Sequence, residues 1–281
     1  MTTNTPVLDN HLHLDLDHGR GVEAVTDFAR SGGTHLLVVN KPSWQLGVAV
    51  ERGEDFRVAF EATIGAVDAA TEVLDGRAWP VLGVHPALVS RLVDERGLEP
   101  AGAAELMSAG IDVAAEYVAA GQALALKTGR PHYAVEPAVW EASNDVLRHT
   151  LSRAAEIDCA VQLHTEASED LTEITDWAAA VDLPAHRVVK HYAGGRLAGP
   201  VPSVISSRDT LEVAVERGAP FLMETDYLDD PDRPGAVLGP KTVPRRVDWL
   251  LERGDEAAVR TAHVETPQLV YGIDTVATLD R

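Results

Sequence analysis

The stretch VLDNHLHLD, residues 7–15, places two histidines one residue apart inside an apolar run with the composition of a strand. Side chains alternate between the two faces of a strand, so His11 and His13 are expected to point to the same side. The intervening Leu12 and the following Leu14 would face the other way. Two imidazoles side by side on a buried strand are suited to holding a metal ion.

Seven more short runs rich in apolar and β-branched residues follow, separated by stretches with helical periodicity. This alternation predicts an α/β fold, a (β/α)8 TIM-like barrel of parallel strands. A chain of 281 residues has a suitable length, and we expect residues 1–281 to form a single domain. The predicted strands are 7–14, 34–40, 80–85, 122–127, 159–164, 187–191, 203–206 and 219–226.

The segments between these strands carry the signals of helices and loops. GVEAVTDFARSGG, residues 21–33, ends in glycines after an apolar stripe, as a helix and its C-terminal stop do. Residues 103–121 and 143–158 have the same periodicity. The link YAGGRLAGPVP, residues 192–202, contains too many Gly and Pro residues for a helix. Residues 226–244 form a long predicted loop after the last strand, where a barrel enzyme holds substrate contacts.

The formal net charge of −20 comes from 44 acidic residues against 24 basic ones, of which four are lysines. Such an acidic surface suits a cytoplasm rich in salt, where the Debye length falls to about 3 Å at 1 M and repulsion between like charges is screened. No stretch of the sequence supplies the basic stripe that tight binding of duplex DNA requires.

Other sequence features favour a cytoplasmic location. No apolar run approaches the roughly 18 residues of a membrane span, and the first residues, MTTNTPV, lack a signal-peptide pattern. Cys159 is the only cysteine, so it has no internal disulfide partner, which is compatible with a reducing compartment. The sequence leaves the oligomeric state open.

Polar residues stand at the ends of most predicted strands. In a barrel the C-terminal ends of the strands form one rim, where the active site lies. A single histidine there is usually a hydrogen-bonded polar group, but its repetition on several strands favours a metal centre. Imidazole and carboxylate ligands together favour one or two divalent cations, Zn²⁺ first, with Mn²⁺ or Mg²⁺ as alternatives. The candidate metal ligands are His11, His13, His164, His191 and Asp226, and Lys127 and His85 also stand at strand ends.

Lys127 is the unusual member of this set, because an ammonium beside metal ions would be repelled. Carbamylation by CO₂ would turn its amine into an anionic ligand with two oxygens, able to bridge two cations. The alternative is an unmodified lysine that pairs with Asp226 or Glu224, or that holds a substrate anion. The sequence leaves both readings open.

Five motifs give the chain a family resemblance. DNHLHLD, GVHP, QLHT, KHYAGG and METDYL stand at the predicted strands one, three, five, six and eight. With these motifs in this order, the sequence resembles the TatD-like metal-dependent hydrolases of the amidohydrolase superfamily over nearly its whole length. The resemblance implies a TIM-like barrel, a centre of one or two metals and hydrolysis of phosphoester bonds, with nuclease activity in several members.

The resemblance also implies roles for single residues. Asp226 would lie near the attacking water, and His85 near the substrate phosphate. One position departs from the family pattern, because the usual glutamate ligand after the fourth strand falls on Lys127. A lysine there resembles the phosphotriesterase branch of the superfamily, in which it is carbamylated. The implied metal ligands are His11, His13, His164, His191 and Asp226.

We therefore expect metal-assisted hydrolysis, in which cations lower the pKa of a coordinated water from 15.7 to about 7 and Asp226 orients that water and relays its proton. The predicted catalytic residues are Asp226, Lys127 and His85. Glu166 and Glu224 lie two residues from predicted ligands, as support for them or as ordinary strand-end charges. The candidates for neutralising charge on substrate oxygens are His85, Arg130, His132 and Lys241, although loop Arg and Lys are usually solvated.

Three other functions stay open at this point. The hydrolase could act on a lactone, an amide or a phosphotriester instead of a phosphoester. A metal-free lyase could use Lys127 as a Schiff-base nucleophile, and a non-catalytic barrel could bind a ligand or metal. The expected partner is a small phosphoester or an oligonucleotide end, because high salt removes the counterion release that drives binding of long DNA.

Overall fold

The computed structural model describes residues 5–233, 235 and 237–279. Its centre is one sheet of nine parallel strands. The strands are β1 (Leu8–His13), β2 (His35–Val39), β3 (Ala78–Gly83), β4 (Ala125–Gly129), β5 (Ala160–His164), β6 (Val188–Ala193), β7 (Val201–Ile205), β8 (Leu222–Glu224) and β9 (Tyr227–Leu228).

Helices cover the outside of the sheet, and none in the described ranges has the length and apolar character of a membrane span. Two of them continue into π-helical turns, at Arg91–Glu95 and Thr261–Glu265. The helices are α1 (Val22–Arg30), α2 (Arg57–Leu74), α3 (Leu88–Ser90), α4 (Pro100–Ala119), α5 (Pro137–Glu156), α6 (Thr172–Ala180), α7 (Arg208–Arg217), α8 (Thr242–Glu252), α9 (Glu256–Arg260) and α10 (Thr266–Tyr271).

The sheet closes into a barrel between its last and first strands. Its order is β8-β7-β6-β5-β4-β3-β2-β1-β9, and β9 follows β8 after only two residues. The carboxylate of Asp9 accepts hydrogen bonds from the backbone N–H and the hydroxyl of Thr225, at 3.0 and 2.7 Å. The N–H of Asp226 donates to the carbonyl of His11 at 2.9 Å. These bonds join β8 to β1 at the seam, as a TIM-like barrel requires.

Most of the architecture predicted from the sequence is confirmed. Each of the eight predicted strands overlaps an observed one, the three predicted helices are present as α1, α4 and α5, and no helix joins β6 to β7. The predicted eighth strand is wrong in one respect, because it breaks at Thr225 and Asp226 and resumes as β9. Lys127 lies inside β4 and not at its end. Two residues of the predicted loop 226–244, Pro234 and Ala236, lie outside the described residues.

Apolar side chains from nearly every strand fill the part of the barrel interior that lies away from the C-terminal rim. They form one buried cluster with Val270 and Tyr271 of α10, so the C-terminal helix covers the end of the barrel opposite the predicted site. Burial of these apolar side chains away from water stabilises the folded barrel. The strand residues are Leu8, Leu37, Val39, Val81, Ala125, Ala160, Val189 and Leu222.

His263, just before α10, connects this covering segment to the barrel. Its ring is fully buried, and Nδ1 accepts a hydrogen bond from the backbone N–H of Leu8 at 3.0 Å. Burial lowers the pKa of His263 to about 3. The folded chain therefore keeps this imidazole neutral at pH values where an unfolded chain would protonate it.

The stability of the protein should consequently fall as the pH decreases below about 6.5, the pKa of a solvated histidine. In this range the unfolded state binds a proton at His263 that the folded state does not bind. The free energy of unfolding therefore falls by up to about 1.4 kcal/mol per pH unit. His263→Asn retains an acceptor near the Nδ1 position but cannot be protonated. Denaturant unfolding between pH 4.5 and pH 7 should thus have a shallower pH slope in His263→Asn; an equal slope in both proteins would contradict this assignment.

Candidate metal centre

His11 and His13 point to the same side, as predicted, and face Asp226 across the seam. Their Nε2 atoms lie 3.8 and 3.7 Å from Oδ1 of Asp226. Leu12 and Leu14 pack on the other side with α1 and α2. The pairing of β1 with β2 shifts between Asp9 and Leu12, so the strand is irregular where it carries these histidines.

Two hydrogen bonds determine which ring nitrogen each histidine offers. Nδ1 of His13 lies 2.8 Å from the carbonyl of Val39, which can only accept, so this nitrogen carries the proton. Nδ1 of His11 lies 2.7 Å from Oε1 of Gln162, whose amide nitrogen is committed to the carbonyl of Asn10. In both rings Nε2 is left with a free lone pair, which is the arrangement of a metal-ligating histidine with an outer partner.

A second pair of imidazoles lies beside the first. Nδ1 of His164 and Nε2 of His191 are 2.8 Å apart, and the ring of His191 stacks on that of His11 with centroids 4.0 Å apart. Nδ1 of His191 faces Oε1 of Glu224 at 3.3 Å. With its proton directed to Glu224, His191 presents an Nε2 lone pair toward His164.

Lys127 lies between these two pairs, with Nζ 3.5 Å from Nε2 of His11 and the side chain almost fully buried. Burial lowers the pKa of Lys127 to about 8, against the opposing attraction of Asp226 and Glu224. Within the described part of the chain, no carboxylate forms an ion pair with Nζ. The ion pair considered from the sequence is therefore not formed, and the amine loses its proton more readily than that of a solvated lysine.

Burial also determines the charges of the other groups. It lowers the pKa of His11, His13 and His191 well below 6.5, so these imidazoles are neutral. It raises the pKa of Asp226 to about 6, while Lys127 and Lys190 act in the opposite direction. Neutral imidazoles gathered around the Asp226 carboxylate are donors that can ligate a metal ion without first losing a proton.

Asp226 of the cluster and Tyr192 beside it adopt left-handed backbone conformations. Asp226 has φ of 49° and Tyr192 has φ of 53°, a region that bulky residues rarely occupy. Hydrogen bonds hold both, from the N–H of Asp226 to His11 and from the N–H of Tyr192 to Oε1 of Glu224 at 2.6 Å. Glu224 also accepts from Ser203, so this carboxylate supports both His191 and the turn after it, as one of the sequence readings anticipated.

The cluster opens into a cavity of about 160 Å³ at the C-terminal rim. Loops contribute Gln45 and His85, and Leu228, Arg233 and Val237 close the opposite side. The remaining lining residues are His13, Pro42, Lys127, His164, His191 and Asp226. The cavity is small and polar at its base, which suits a compact polar substrate group.

The residues predicted to contact substrate divide into two groups. His85 lines the cavity, with its ring centroid 4.6 Å from that of His164, and Nδ1 of His132 lies 2.9 Å from Nε2 of His164. Arg130 is buried away from the cavity, where it pairs with Glu166 at 2.6 Å and stacks on a tryptophan.

Lys241 also lies away from the cavity lining and pairs with Asp27 at 3.1 Å. Arg130 and Lys241 are both committed to carboxylates, as loop cations in an acidic chain often are. Glu166 likewise serves Arg130 rather than a predicted ligand.

The sequence patterns did not indicate the residues that hold His11 in place or those that tie the neighbouring loops together. Gln162 stands in the apolar strand AVQLH, and a polar residue inside such a run is a signal that could have identified it. Asp229 is fully buried and accepts from the N–H groups of Asp15, Arg20 and Gly21. Lys41 donates to Asp15 and to the carbonyl of Asp229, so the loops after β1, β2 and β9 are tied together.

The chemistry of the donors fits a divalent cation. Ligand atoms of His11, His13 and Asp226 lie within 4.8 Å of one another, and the same holds for His11, His191 and Glu224. The free lone pairs of neutral imidazoles and an acidic oxygen are the donors that Zn²⁺ and related ions prefer. A buried lone-pair cluster of this kind is unfavourable without a cation or protons between its members.

A parallel barrel with this cluster at its C-terminal rim defines the class of metal-dependent hydrolase barrels. The family described as TatD related DNase matches residues 8–272, and the chain belongs to this family. The uncharacterized protein MJ1127 of Methanocaldococcus jannaschii is 35% identical over 284 residues, covering 96% of this chain and 96% of its own length.

Solved structures share the fold at low sequence identity. The organophosphorus hydrolase from Deinococcus radiodurans is 12% identical with a TM-score of 0.60, covering 96% of this chain and 93% of that one. The lactonase Lmo2620 from Listeria monocytogenes is 13% identical with a TM-score of 0.60, covering 95% and 94%. The family implies a divalent cation, and the donor clusters described above are able to bind one.

Loss of the Gln162 side chain should weaken metal binding. Gln162→Leu keeps the volume of this buried residue but removes the partner of His11 Nδ1, so the ring is no longer held with Nε2 toward the cluster. Removal of such outer contacts typically costs about 10- to 100-fold in metal affinity. Competition against a chromophoric Zn²⁺ chelator should show this loss in Gln162→Leu and none in the exposed control Gln122→Leu; unchanged affinity in both would contradict the orienting role.

Proposed function

We propose that the protein is a TatD-type hydrolase that cleaves phosphoester bonds of small substrates or oligonucleotide ends in the cytoplasm. The observation that supports this most directly is the convergence of His11, His13 and Asp226, with both Nε2 atoms within 3.8 Å of one carboxylate oxygen. Membership of the family and the small polar cavity agree with this reading.

The proposed cation ligands are His11, His13, His164, His191 and Asp226, with Lys127 as a further ligand if it is carbamylated. A divalent cation, Zn²⁺ or alternatively Mn²⁺ or Mg²⁺, would supply Lewis acidity that brings the pKa of a coordinated water to about 7.

Asp226 is proposed to orient the attacking water and to accept its proton. Its pKa of about 6 is suited to proton transfer near neutral pH, and the hydrogen bond from its N–H to His11 holds the carboxylate at the base of the cavity. His85 and His132 stand beside His164 and are proposed to stabilise charge on substrate oxygens by hydrogen bonding. The ion pairs of Arg130 with Glu166 and of Lys241 with Asp27 argue against this role for the two cations, and the proposal leaves them out.

A second candidate activity is hydrolysis of a lactone or phosphotriester. Lys127 favours it, because this buried amine stands in place of the family glutamate, and the fold is shared with an organophosphorus hydrolase and a lactonase. The metal-free lyase is disfavoured because it leaves the paired histidines without a role. The net charge of −20 supports small substrates over long duplex DNA.

Turnover should depend on the cation and on Asp226. Metal-loaded protein is assayed with a bis-aryl phosphodiester, a lactone and a phosphotriester, before and after chelation. We expect phosphodiester hydrolysis to vanish on chelation, to return with Zn²⁺ or Mn²⁺, and to fall about 10²- to 10⁴-fold in kcat in Asp226→Asn. Hydrolysis that survives chelation, or a preference for the lactone or the phosphotriester, would contradict the primary proposal.

The state of Lys127 can be tested by its replacement. Attack of the neutral amine on CO₂ would form an N–C bond and release a proton, which leaves an anionic carbamate. If this group is the ligand, Lys127→Glu should retain hydrolysis and metal content within about tenfold, whereas Lys127→Met should lose more than about 100-fold. Equal loss in both variants, with wild-type activity indifferent to added bicarbonate, would favour the unmodified ammonium.

A further inference from the structure

The irregular link between β6 and β7 leaves a second cavity, separate from the metal centre. Residues 194–200, which connect β6 to β7, form no helix, and a space of about 540 Å³ lies beside this link. A volume of this size is typical of small-molecule sites. It is lined by Ala167, Ser168, Glu169, Lys190, Tyr192, Ala193, Gly194, Gly195, Arg196, Asp209, Thr210 and Val213.

The inner wall of this cavity carries a buried cation without a carboxylate partner. Lys190 is 4% exposed, and its Nζ donates to the carbonyl of His191 at 2.6 Å. Within the described residues no acidic group forms an ion pair with Nζ, and two of its three N–H donors have no acceptor. A buried ammonium is normally paired, because desolvation without compensation is costly.

Further unused donors lie next to Lys190. In the described part of the chain, no protein group accepts from the backbone N–H of Gly194, Gly195 or Arg196. An added Cβ at Gly195 would lie 2.5 Å from the carbonyl of Thr210, so only glycine permits this close approach of the link to α7. The guanidinium of Arg196, which is exposed, likewise has no ion-pair partner among the described residues.

The acidic groups of the cavity stand at its outer edge. Glu169 and Asp209 are both exposed, while Lys190 and Gly195 are buried. A charged ligand group would therefore be held at the inner end, and the carboxylates at the rim would disfavour a polyanion. This distribution suits a small molecule with one anionic group.

We propose that this cavity binds the carboxylate or phosphate of a small molecule, with Lys190 and the N–H groups of Gly194, Gly195 and Arg196 as donors. Backbone N–H groups beside an ammonium form an anion site of a common type. The anionic group belongs either to the distal part of the substrate or to a separate small anion, since His191 of the metal centre is the next residue along β6. Binding itself does not depend on the proposed hydrolysis.

The location can be tested with selenate, a tetrahedral dianion that has an anomalous signal. Crystals of the metal-loaded protein soaked in selenate should show a selenium peak within hydrogen-bond distance of Lys190 Nζ and Gly195 N. The peak should be absent from Lys190→Met and present in Arg30→Met, a control that removes an exposed cation on α1. Absence of the peak from the wild-type protein would overturn the proposal.

Affinity in solution is the second measurement. Calorimetric titration with inorganic phosphate should show binding that weakens at least about tenfold in Lys190→Met, as expected for loss of a charge-assisted hydrogen bond. Arg196→Gln, on the exposed edge, should weaken it about threefold without affecting folding, and Arg30→Met should leave it unchanged. A selenate peak without measurable phosphate binding would indicate an adventitious ion only, and equal affinity in all variants would equally overturn the proposal.

Two further kinetic measurements distinguish the two possible sources of the anion. If the site holds the distal part of the substrate, Lys190→Met should raise KM for an ester with a remote carboxylate but not for its neutral analogue. If it holds a separate anion, both KM values should stay unchanged while phosphate affinity still falls. Either pattern supports the site. If hydrolysis is absent altogether, the proposed function fails while the phosphate and selenate results still decide this inference.

Discussion

Closure of the barrel at the seam between β8 and β1 is the constraint on which the rest of the molecule depends. The buried carboxylate of Asp9 receives two hydrogen bonds from Thr225, and the N–H of Asp226 donates to His11, so the strands are joined by side chain as well as backbone. The same residues that close the sheet are neighbours of the candidate ligands. The contacts that close the barrel thus also place Asp226 beside His11 and His13.

The seam also explains why the polypeptide breaks at Asp226. A regular strand would direct successive side chains to opposite faces, whereas the left-handed conformation at Asp226 lets β9 resume pairing with β1. The carboxylate is thereby held 3.7 Å from His13. Strain of this kind persists only where the surroundings hold it, and here the bond to His11 does so.

The architecture was predictable because its signals are local. Apolar runs between helical stretches predicted eight strands, and the spacing of His11 and His13 predicted their common side. The break after Glu224 was not predictable, since it depends on pairing between the two ends of the chain. The ion pairs of Arg130 and Lys241 are likewise long-range, as Arg130 and Glu166 come from different units of the barrel.

The residues that support the candidate ligands and the surrounding loops were the hardest to predict from the sequence. Glu224 was identifiable from its position two residues before Asp226, but Gln162 and Asp229 act through partners far away in the sequence. The cavity beside β6 had a local signal in the Gly-rich link, although the sequence could not show that Lys190 would be buried without a carboxylate. Local patterns thus identify donors better than they identify the groups that orient them.

The bonds of Lys41 and Asp229 have a consequence for access to the metal centre. They fasten three neighbouring loops, those after β1, β2 and β9, to one another on one side of the rim. Adjustment to an arriving molecule then falls to the other side, where His85 and His132 stand on the loops after β3 and β4, and an exposed hydrogen bond from the Tyr133 hydroxyl to Ser90 links these segments. Entry and exit of reactants would accordingly be asymmetric, with a stationary side and a yielding side.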